Sequence, residues 1–223
     1  NTAAAQFSIT NDETAPTVAL TTGSSDPVSG AFTVTATFSE DVTGFGLGDF
    51  TVGNGAASAF SATSATVYTA LITPASDGSV TVDVAAAAAQ DAAGNDNTAA
   101  TQFSISNDET APTVALTTGS SDPVSGAFTV TATFSEAVTG FAVGDFTVGN
   151  GAASAFSATS ATVYTALITP ASDGAVTVDV ASGAAQDAAG NGNAAATQFS
   201  ITNDETAPTV ALTTGSADPV SGA

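Results

Sequence analysis

Residues 32–38 read Phe-Thr-Val-Thr-Ala-Thr-Phe, and this is the clearest pattern in the chain. Four apolar side chains alternate with three threonines, so an extended backbone here has one apolar face and one polar face. Strict alternation with a period of two is typical of a strand that packs on a core through one face. The stretch therefore predicts a half-buried β-strand.

Similar segments lie on both sides of this strand. Alternating apolar residues predict further strands at residues 17–22, 49–52, 57–62, 66–73 and 79–84. Phe103 and Ile105 mark a seventh strand. Turn signals separate the segments, among them Asn54-Gly55, a dipeptide that predicts a hairpin. The sequence therefore predicts a domain built from short strands with almost no helix.

The whole pattern repeats. The run Asn-Asp-Glu-Thr-Ala-Pro-Thr-Val-Ala-Leu begins at Asn11, Asn107 and Asn203, which gives a period of 96 residues. The predicted domains are repeats at residues 12–107 and 108–203, which differ at nine positions. Residues 1–11 are interpreted as the C-terminal strand of a preceding repeat, and residues 204–223 as the N-terminal part of a following one. Seven strands per repeat match the size of an immunoglobulin-like β-sandwich, so the predicted fold class is all-β.

The composition excludes most chemistry. The 223 residues include 21 Asp and Glu and no Lys, Arg, His or Cys, so the formal net charge is −21. Without imidazole, thiol or amine side chains, the usual catalytic nucleophiles and zinc sites are excluded, and we expect no enzymatic activity. Binding to nucleic acid through phosphate neutralisation is excluded as well. No apolar run approaches the roughly 20 residues of a membrane span, so no direct membrane insertion is expected.

Several longer runs occur in the same order in each repeat. They include Thr-Ala-Pro-Thr-Val-Ala-Leu, Gly-Asp-Phe-Thr-Val-Gly-Asn-Gly, Val-Thr-Val-Asp-Val-Ala and Asp-Ala-Ala-Gly-Asn. In this order they resemble the bacterial Ig-like domains that are tandemly arrayed in large surface proteins and adhesins. The resemblance covers essentially the whole chain. It implies tandem sandwiches, an extracellular location at the cell surface, and calcium ions at the junctions between domains.

The predicted strand directions place several acids together. If successive strands alternate in direction, the loops near residues 40 and 91 lie at the same end of the repeat as the linker near residue 12. Carboxylate and amide oxygens from two or three loops suit Ca²⁺, which takes six to eight oxygen ligands. Ordinary turn residues are the alternative interpretation of these acids. The predicted ligands at the junctions are Asp12, Glu13, Asp26, Glu40, Asp77, Asp91, Asn95, Asn97, Asp108, Glu109, Asp122, Glu136, Asp173, Asp187, Asn191, Asn193, Asp204 and Glu205.

Together these features predict a spacer or stalk segment of an extracellular bacterial adhesin, stiffened by calcium between neighbouring repeats of the same chain. One alternative is a self-assembling extracellular filament, in which strands of different copies pair. A second is a carbohydrate-binding module that uses acids such as Glu40 and Asp49. The row Thr33, Thr35 and Thr37 also raises ice binding, although threonine is common on the wet face of any strand.

Overall fold

The structure is a computed structural model that describes residues 4–213 and residue 215. Two compact units divide the chain, with the main boundary between Pro112 and Thr113, and each contains one β-sandwich. No helix in the described part of the chain is long and apolar enough to cross a membrane. The predicted all-β fold with seven strands per repeat is confirmed.

The first sandwich contains seven strands in two sheets. The strands are β1 (Val18–Thr22), β2 (Phe32–Phe38), β3 (Phe50–Gly53), β4 (Gly55–Ala62), β5 (Val67–Pro74), β6 (Gly78–Val84) and β7 (Phe103–Asn107). Strands β1, β2, β5 and β4 form one antiparallel sheet in that order, and β3, β6 and β7 form the other. A short 3-10 turn, Leu47–Asp49, precedes β3.

The second sandwich repeats this topology. The strands are β8 (Val114–Thr118), β9 (Phe128–Phe134), β10 (Phe146–Gly149), β11 (Gly151–Ala158), β12 (Val163–Pro170), β13 (Gly174–Val180) and β14 (Phe199–Asn203). The four-stranded sheet has the order β8-β9-β12-β11, and the three-stranded sheet has the order β10-β13-β14. A 3-10 turn, Val143–Asp145, precedes β10.

The core follows from the alternating pattern. In β2 the four apolar residues are buried and the three threonines face outward, as the sequence predicts. Val34, Ala36 and Ile72 are fully buried between the two sheets. Burying a Val or Ile side chain stabilises a fold by about 1.5–3 kcal/mol, so these inward rows account for the pairing of the sheets.

The hairpin that Asn54-Gly55 predicts does not form. Asn54 has a left-handed backbone with a φ of 54°, as expected before Gly55, but the flanking strands β3 and β4 belong to different sheets. The dipeptide is therefore a corner between sheets and not a hairpin. A Cβ atom at Gly55 would lie 2.8 Å from the carbonyl oxygen of Thr73, so the close approach to β5 requires glycine. The sequence predicted the turn at Asn54 but not the strands with which β3 and β4 pair, because that pairing depends on the core.

An aromatic cluster anchors the loop between β2 and β3. The ring of Phe45, from that loop, packs against Phe38, Phe50 and Tyr68 with centroids 5.0–5.2 Å apart. The Tyr68 hydroxyl donates to the carbonyl oxygen of Val42 at 3.0 Å, a contact between β5 and the same loop. The cluster thus fixes the backbone of the loop that carries Glu40.

The two predicted partial repeats are described only in part. Residues 1–3, 214 and 216–223 lie outside the described residues. Residues 4–11 and 204–213 carry no strand. Phe7 and Leu212 in these segments are 87% and 94% exposed. In the complete repeats the residue that corresponds to Phe7, Phe103, packs against the core of a sandwich.

Candidate metal centre

Three segments of the first repeat meet at one end of its sandwich, which we call the linker end. The loop between β2 and β3 pairs with the loop between β6 and β7, through two backbone hydrogen bonds of 2.8 and 3.0 Å that join Thr43 and Gln90. The linker segment, residues 12–17, joins them where the backbone N–H of Thr98 donates to the carbonyl oxygen of Pro16 at 2.9 Å. The convergence follows the predicted strand directions.

Each segment contributes one carboxylate to the same place. Asp12 from the linker segment, Glu40 from the β2–β3 loop and Asp91 from the β6–β7 loop each have an oxygen within 4.8 Å of the others. Asp12 is exposed, Glu40 is half-buried and Asp91 is buried. These residues lie far apart in the sequence, so only the fold brings them together.

The backbone of the β6–β7 loop holds Asp91 in a fixed orientation. The Asp91 Oδ1 atom accepts hydrogen bonds from the backbone N–H groups of Ala93 and Asn95, both at 2.8 Å. The Asn95 side-chain amide donates to Asp91 Oδ2 at 2.7 Å and to the carbonyl oxygen of Asp12 at 3.1 Å. The hydrogen bond from the Asn95 side chain is the main cause that lowers the pKa of Asp91. Asp91 is thus an ionised carboxylate with a fixed orientation.

Asn97 has a structural role in the same loop. Its side chain is 2% exposed and accepts from the backbone N–H of Ala89 at 2.7 Å. Its amide donates to the carbonyl oxygens of Ala85 and Thr98, at 3.0 and 2.7 Å. These hydrogen bonds close the loop that carries Asp91, so Asn97 stabilises the backbone that positions this carboxylate.

The electrostatic effect of grouping the three carboxylates is seen in the pKa of Glu40. Partial burial, followed by the negative charges of Asp12 and Asp91, raises the pKa of Glu40. The chain has no Lys, Arg or His to compensate this charge. Like charges at this distance repel, and an external cation is the natural way to relieve them.

The donor set fits a calcium ion. Ca²⁺ binds oxygens at about 2.3–2.6 Å, so two ligands on opposite sides of one ion lie about 5 Å apart. Carboxylate oxygens within 4.8 Å of one another therefore satisfy the distance for a shared ion. All three ligands are hard oxygens, which suits Ca²⁺ and does not suit zinc or copper. Asp12, Glu40 and Asp91 are the residues that would hold the ion.

The acids at the opposite end of the sandwich, which we call the far end, have different partners. Asp26 accepts a hydrogen bond from the backbone N–H of Ser106 at 3.0 Å. Asp77 accepts from the backbone N–H of Glu109 at 2.7 Å and from the Thr110 hydroxyl. Bonds from Thr110 first, and from the Glu109 backbone second, lower the pKa of Asp77. In the described part of the chain, Asp26, Asp77 and Glu109 belong to no group of three acids close enough to share an ion.

The second repeat has the corresponding arrangement. Asp108, Glu136 and Asp187 bring carboxylate oxygens within 4.8 Å of one another. Asn191 donates to the Asp108 carbonyl oxygen and to Asp187 Oδ2, and Asn193 accepts from Ala185. Asp122 accepts from the backbone of Thr202, Asp173 accepts from Glu205 and Thr206, and Asp204 accepts from Thr206. In the first repeat Glu13 accepts from the Asn11 amide and stands outside the group.

The sequence did not indicate two features of the site. The pairing of Thr43 with Gln90 holds the two loops together, although neither residue stands in a recognisable motif. Thr110 donates to Asp77, a role that its place in the Asp-Glu-Thr run does not distinguish from an ordinary polar residue. Both contacts join residues that lie 33 to 47 positions apart, so local patterns carry no signal for them.

The fold and the repeated site define a tandem array of Ig-like β-sandwiches. The family model described as bacterial Ig-like domain matches residues 12–106 and 108–203. The chain therefore belongs to the bacterial Ig-like domain family, as the sequence analysis predicts.

Solved structures to which the chain has a distant similarity include two from Yersinia pseudotuberculosis. InvD is 17% identical with a TM-score of 0.34, and the match covers 92% of this chain and 61% of that one. The adhesin InvE is 16% identical with a TM-score of 0.29, and the match covers 85% of this chain and 58% of that one. The chain thus spans about three fifths of each structure. No curated protein sequence matches it.

Proposed function

We propose that the chain is a spacer segment of an extracellular bacterial adhesin or related surface protein, in which Ca²⁺ stiffens the connection between successive repeats. The observation that carries this proposal is the grouping of Asp12, Glu40 and Asp91 where the linker segment reaches the sandwich. One ligand belongs to the linker segment and two belong to loops of the sandwich. An ion shared by all three would fix the direction in which the linker leaves the domain.

Other properties of the chain support a spacer role. Tandem members of one domain family add length by repetition, and each sandwich has its own core. The net charge of −21 favours solubility and opposes collapse of an extended array on itself. The same charge makes each cluster dependent on an external cation, so the stiffness of the array would follow the calcium concentration outside the cell.

The test is a calcium titration of the chelator-treated 223-residue chain, followed by isothermal calorimetry. We expect two ions per chain, one for each group of carboxylates. The variant E40Q/E136Q keeps the size of both side chains, removes one charge from each group, and should lose most of the binding. The variant D83N/D179N is the matched control, because it removes the same charge from the outer faces of β6 and β13 and should bind as the unmodified chain does. Equal loss of binding in the two variants, or no saturable binding at all, would contradict the proposal.

A further inference from the structure

The charges of this chain are distributed unevenly over its two kinds of sheet. The outer face of the three-stranded sheet carries Asp83, whose Oδ2 atom accepts from the Gln102 side chain at 2.9 Å. The outer face of the four-stranded sheet β1-β2-β5-β4 carries no ionisable side chain. In a chain with 21 acids and no base, this face is electrically neutral, and we call it the neutral face.

The neutral face is built from threonine, serine and small apolar residues. Its middle consists of Thr33, Thr35 and Thr37 from β2 and Val67, Thr69 and Leu71 from β5, which pair directly across the two strands. The positions contributed by β1 and β4 are Ala, Ser and Thr. Such a face presents methyl groups and hydroxyls, and it exposes no charge that would have to be desolvated.

The two repeats carry the same face. None of the nine positions at which the repeats differ falls in β1, β2, β4 or β5, so the second repeat presents the same side chains from β8, β9, β12 and β11. Each chain therefore has two chemically identical neutral faces. A surface that meets a copy of itself forms an isologous contact, in which both partners use the same patch of residues.

The charge distribution selects the partner. Two copies of this chain repel each other wherever acids face acids, because juxtaposed like charges cost several kcal/mol and no basic residue is present to offset them. Contact through the neutral face avoids this cost. We propose that the outer face of the four-stranded sheet is a docking surface for the same face of a second copy of this chain, with sheet packed on sheet.

The area of the face sets the strength of the contact. Four strands about 4.8 Å apart and about 20 Å long cover about 400 Å². A standard specific interface buries about 800 Å² on each partner, so one face alone gives a weak contact. Each chain carries two such faces, and tandem repetition would strengthen association through multivalency. Association should also increase with salt, because screening reduces the repulsion between the acidic residues that lie outside the neutral faces of the two chains.

The experiment is sedimentation equilibrium of the full 223-residue chain up to millimolar concentration, at low and high salt, with a chelator present throughout. The chelator separates this proposal from the calcium proposal, because each can fail while the other holds. The variant T33D/T129D places one charge at each neutral face. The variant S104D/S200D adds the same charge to exposed positions of the three-stranded sheets and is the matched control.

We expect reversible self-association that becomes stronger with salt. The association constant should fall at least tenfold in T33D/T129D and should stay within twofold of the unmodified chain in the control. Melting curves establish that both variants fold. A mixture of T33D/T129D with T33K/T129K should associate more strongly than either variant alone, since opposite charges then meet across the contact. A chain that stays monomeric at every concentration and salt would overturn the proposal. So would equal weakening by the two Asp variants, or a monomeric chain that binds and shapes ice crystals, which would make ice the occupant of the face.

Discussion

The two ends of the first sandwich carry the same kind of side chain in opposite situations. At the linker end, the carboxylates of Asp12, Glu40 and Asp91 face one another within 4.8 Å. At the far end, Asp77 and Asp26 each face backbone N–H groups, at 2.7 and 3.0 Å. The pKa of Glu40 is raised and the pKa of Asp77 is lowered, so the environment of Glu40 opposes its negative charge and the environment of Asp77 favours its own. The pKa of Asp91 is lowered by the Asn95 side chain, so Glu40 is the member of the group that is least favoured as an anion.

This contrast shows that the partner of an acid, and not its residue type, determines its role. A carboxylate that accepts backbone N–H bonds is satisfied by the protein itself and behaves as a structural cap. Asp12 and Asp91 accept backbone N–H bonds as well, but they also face Glu40, and no base in this chain offsets the charge of the three acids. Under the calcium proposal the linker end would respond to cations, whereas Asp26 and Asp77 at the far end have their hydrogen-bond partners within the protein.

The largest expected effect is that of calcium on thermal stability. Binding only to the folded state stabilises it by about 2.7 kcal/mol at a hundredfold excess over Kd, which corresponds to a rise in melting temperature of about 10–20 °C for a domain of this size. Differential scanning calorimetry with calcium and with chelator measures the shift. Sodium chloride should reproduce only a small part of it, because screening does not supply a shared ligand. Superimposable curves would mean that the carboxylates are solvated turn residues.

The next effect compares two buried asparagines, one at each end. Asn97 closes the loop that presents Asp91, whereas Asn107 accepts from the Gly30 N–H at 3.0 Å and donates to Ser76 at the far end. N97A/N193A and N107A/N203A should each cost about 1–3 kcal/mol per domain, because buried backbone groups lose their partners.

Only N97A/N193A should also weaken calcium binding at the first group, Asp12, Glu40 and Asp91, since it releases the loop that carries Asp91, whereas Asn107 adjoins Asp108 of the second group. Chemical denaturation measures the loss of stability, and calorimetric titration measures the affinity. Should both pairs of substitutions weaken calcium binding at the first group equally, the two ends of the sandwich would not be independent.

A smaller effect is expected from E40Q/E136Q without calcium. Glutamine retains the shape of the side chain and removes its negative charge. This charge is unfavourable in the folded chain, because burial and two neighbouring acids raise the pKa of Glu40. The melting temperature in chelator should therefore increase slightly at neutral pH, while the response to calcium is lost. The gain should disappear in acid, where Glu40 is protonated in both the folded and the unfolded chain. A lower melting temperature in chelator at neutral pH would indicate that Glu40 is satisfied by the protein.

The smallest effect is that of acid on the two ends, measured by melting curves between neutral pH and pH 3 in chelator. The folded-state pKa of Asp77 lies below its ordinary value of 3.8, so its contribution is complete above that value and is lost as the pH falls through the folded pKa. The folded-state pKa of Glu40 lies above 4.5, so protonation removes a repulsion and stabilises the fold as the pH falls.

The variants separate the two contributions to this pH dependence. D77N/D173N should lower the melting temperature by a few degrees near neutral pH, and the difference should shrink toward pH 3. E40Q/E136Q should remove the rise in stability on mild acidification. A difference between D77N/D173N and the unmodified chain that is constant across the whole range would show that Asp77 acts through its shape alone.

The sequence alone determined the fold class, the repeat boundaries and the approximate strands. Residues 32–38 bury alternate side chains as their pattern predicts, because a strand with one apolar face has one way to satisfy it. The sequence also determined that no residue of this chain can neutralise its own acids, since that is a matter of composition. The members of the carboxylate groups are among the ligands predicted from the sequence. They could be predicted because alternating strand directions assign each loop to one end of the sandwich.

Only the tertiary structure decided which acids face one another and which are capped. Asp77 and Asp91 both stand in loops that contain a glycine, Gly78 and Gly94, and the residue type alone does not distinguish their roles. Asp77 meets a backbone N–H of the following linker, and Asp91 meets Glu40 and Asp12, which lie 51 and 79 residues earlier. The corner at Asn54 likewise joins two sheets because the inward faces of β3 and β4 must both reach the core, one from each side. Such outcomes depend on where the chain returns in space, and the free energy that fixes them is shared over the whole core.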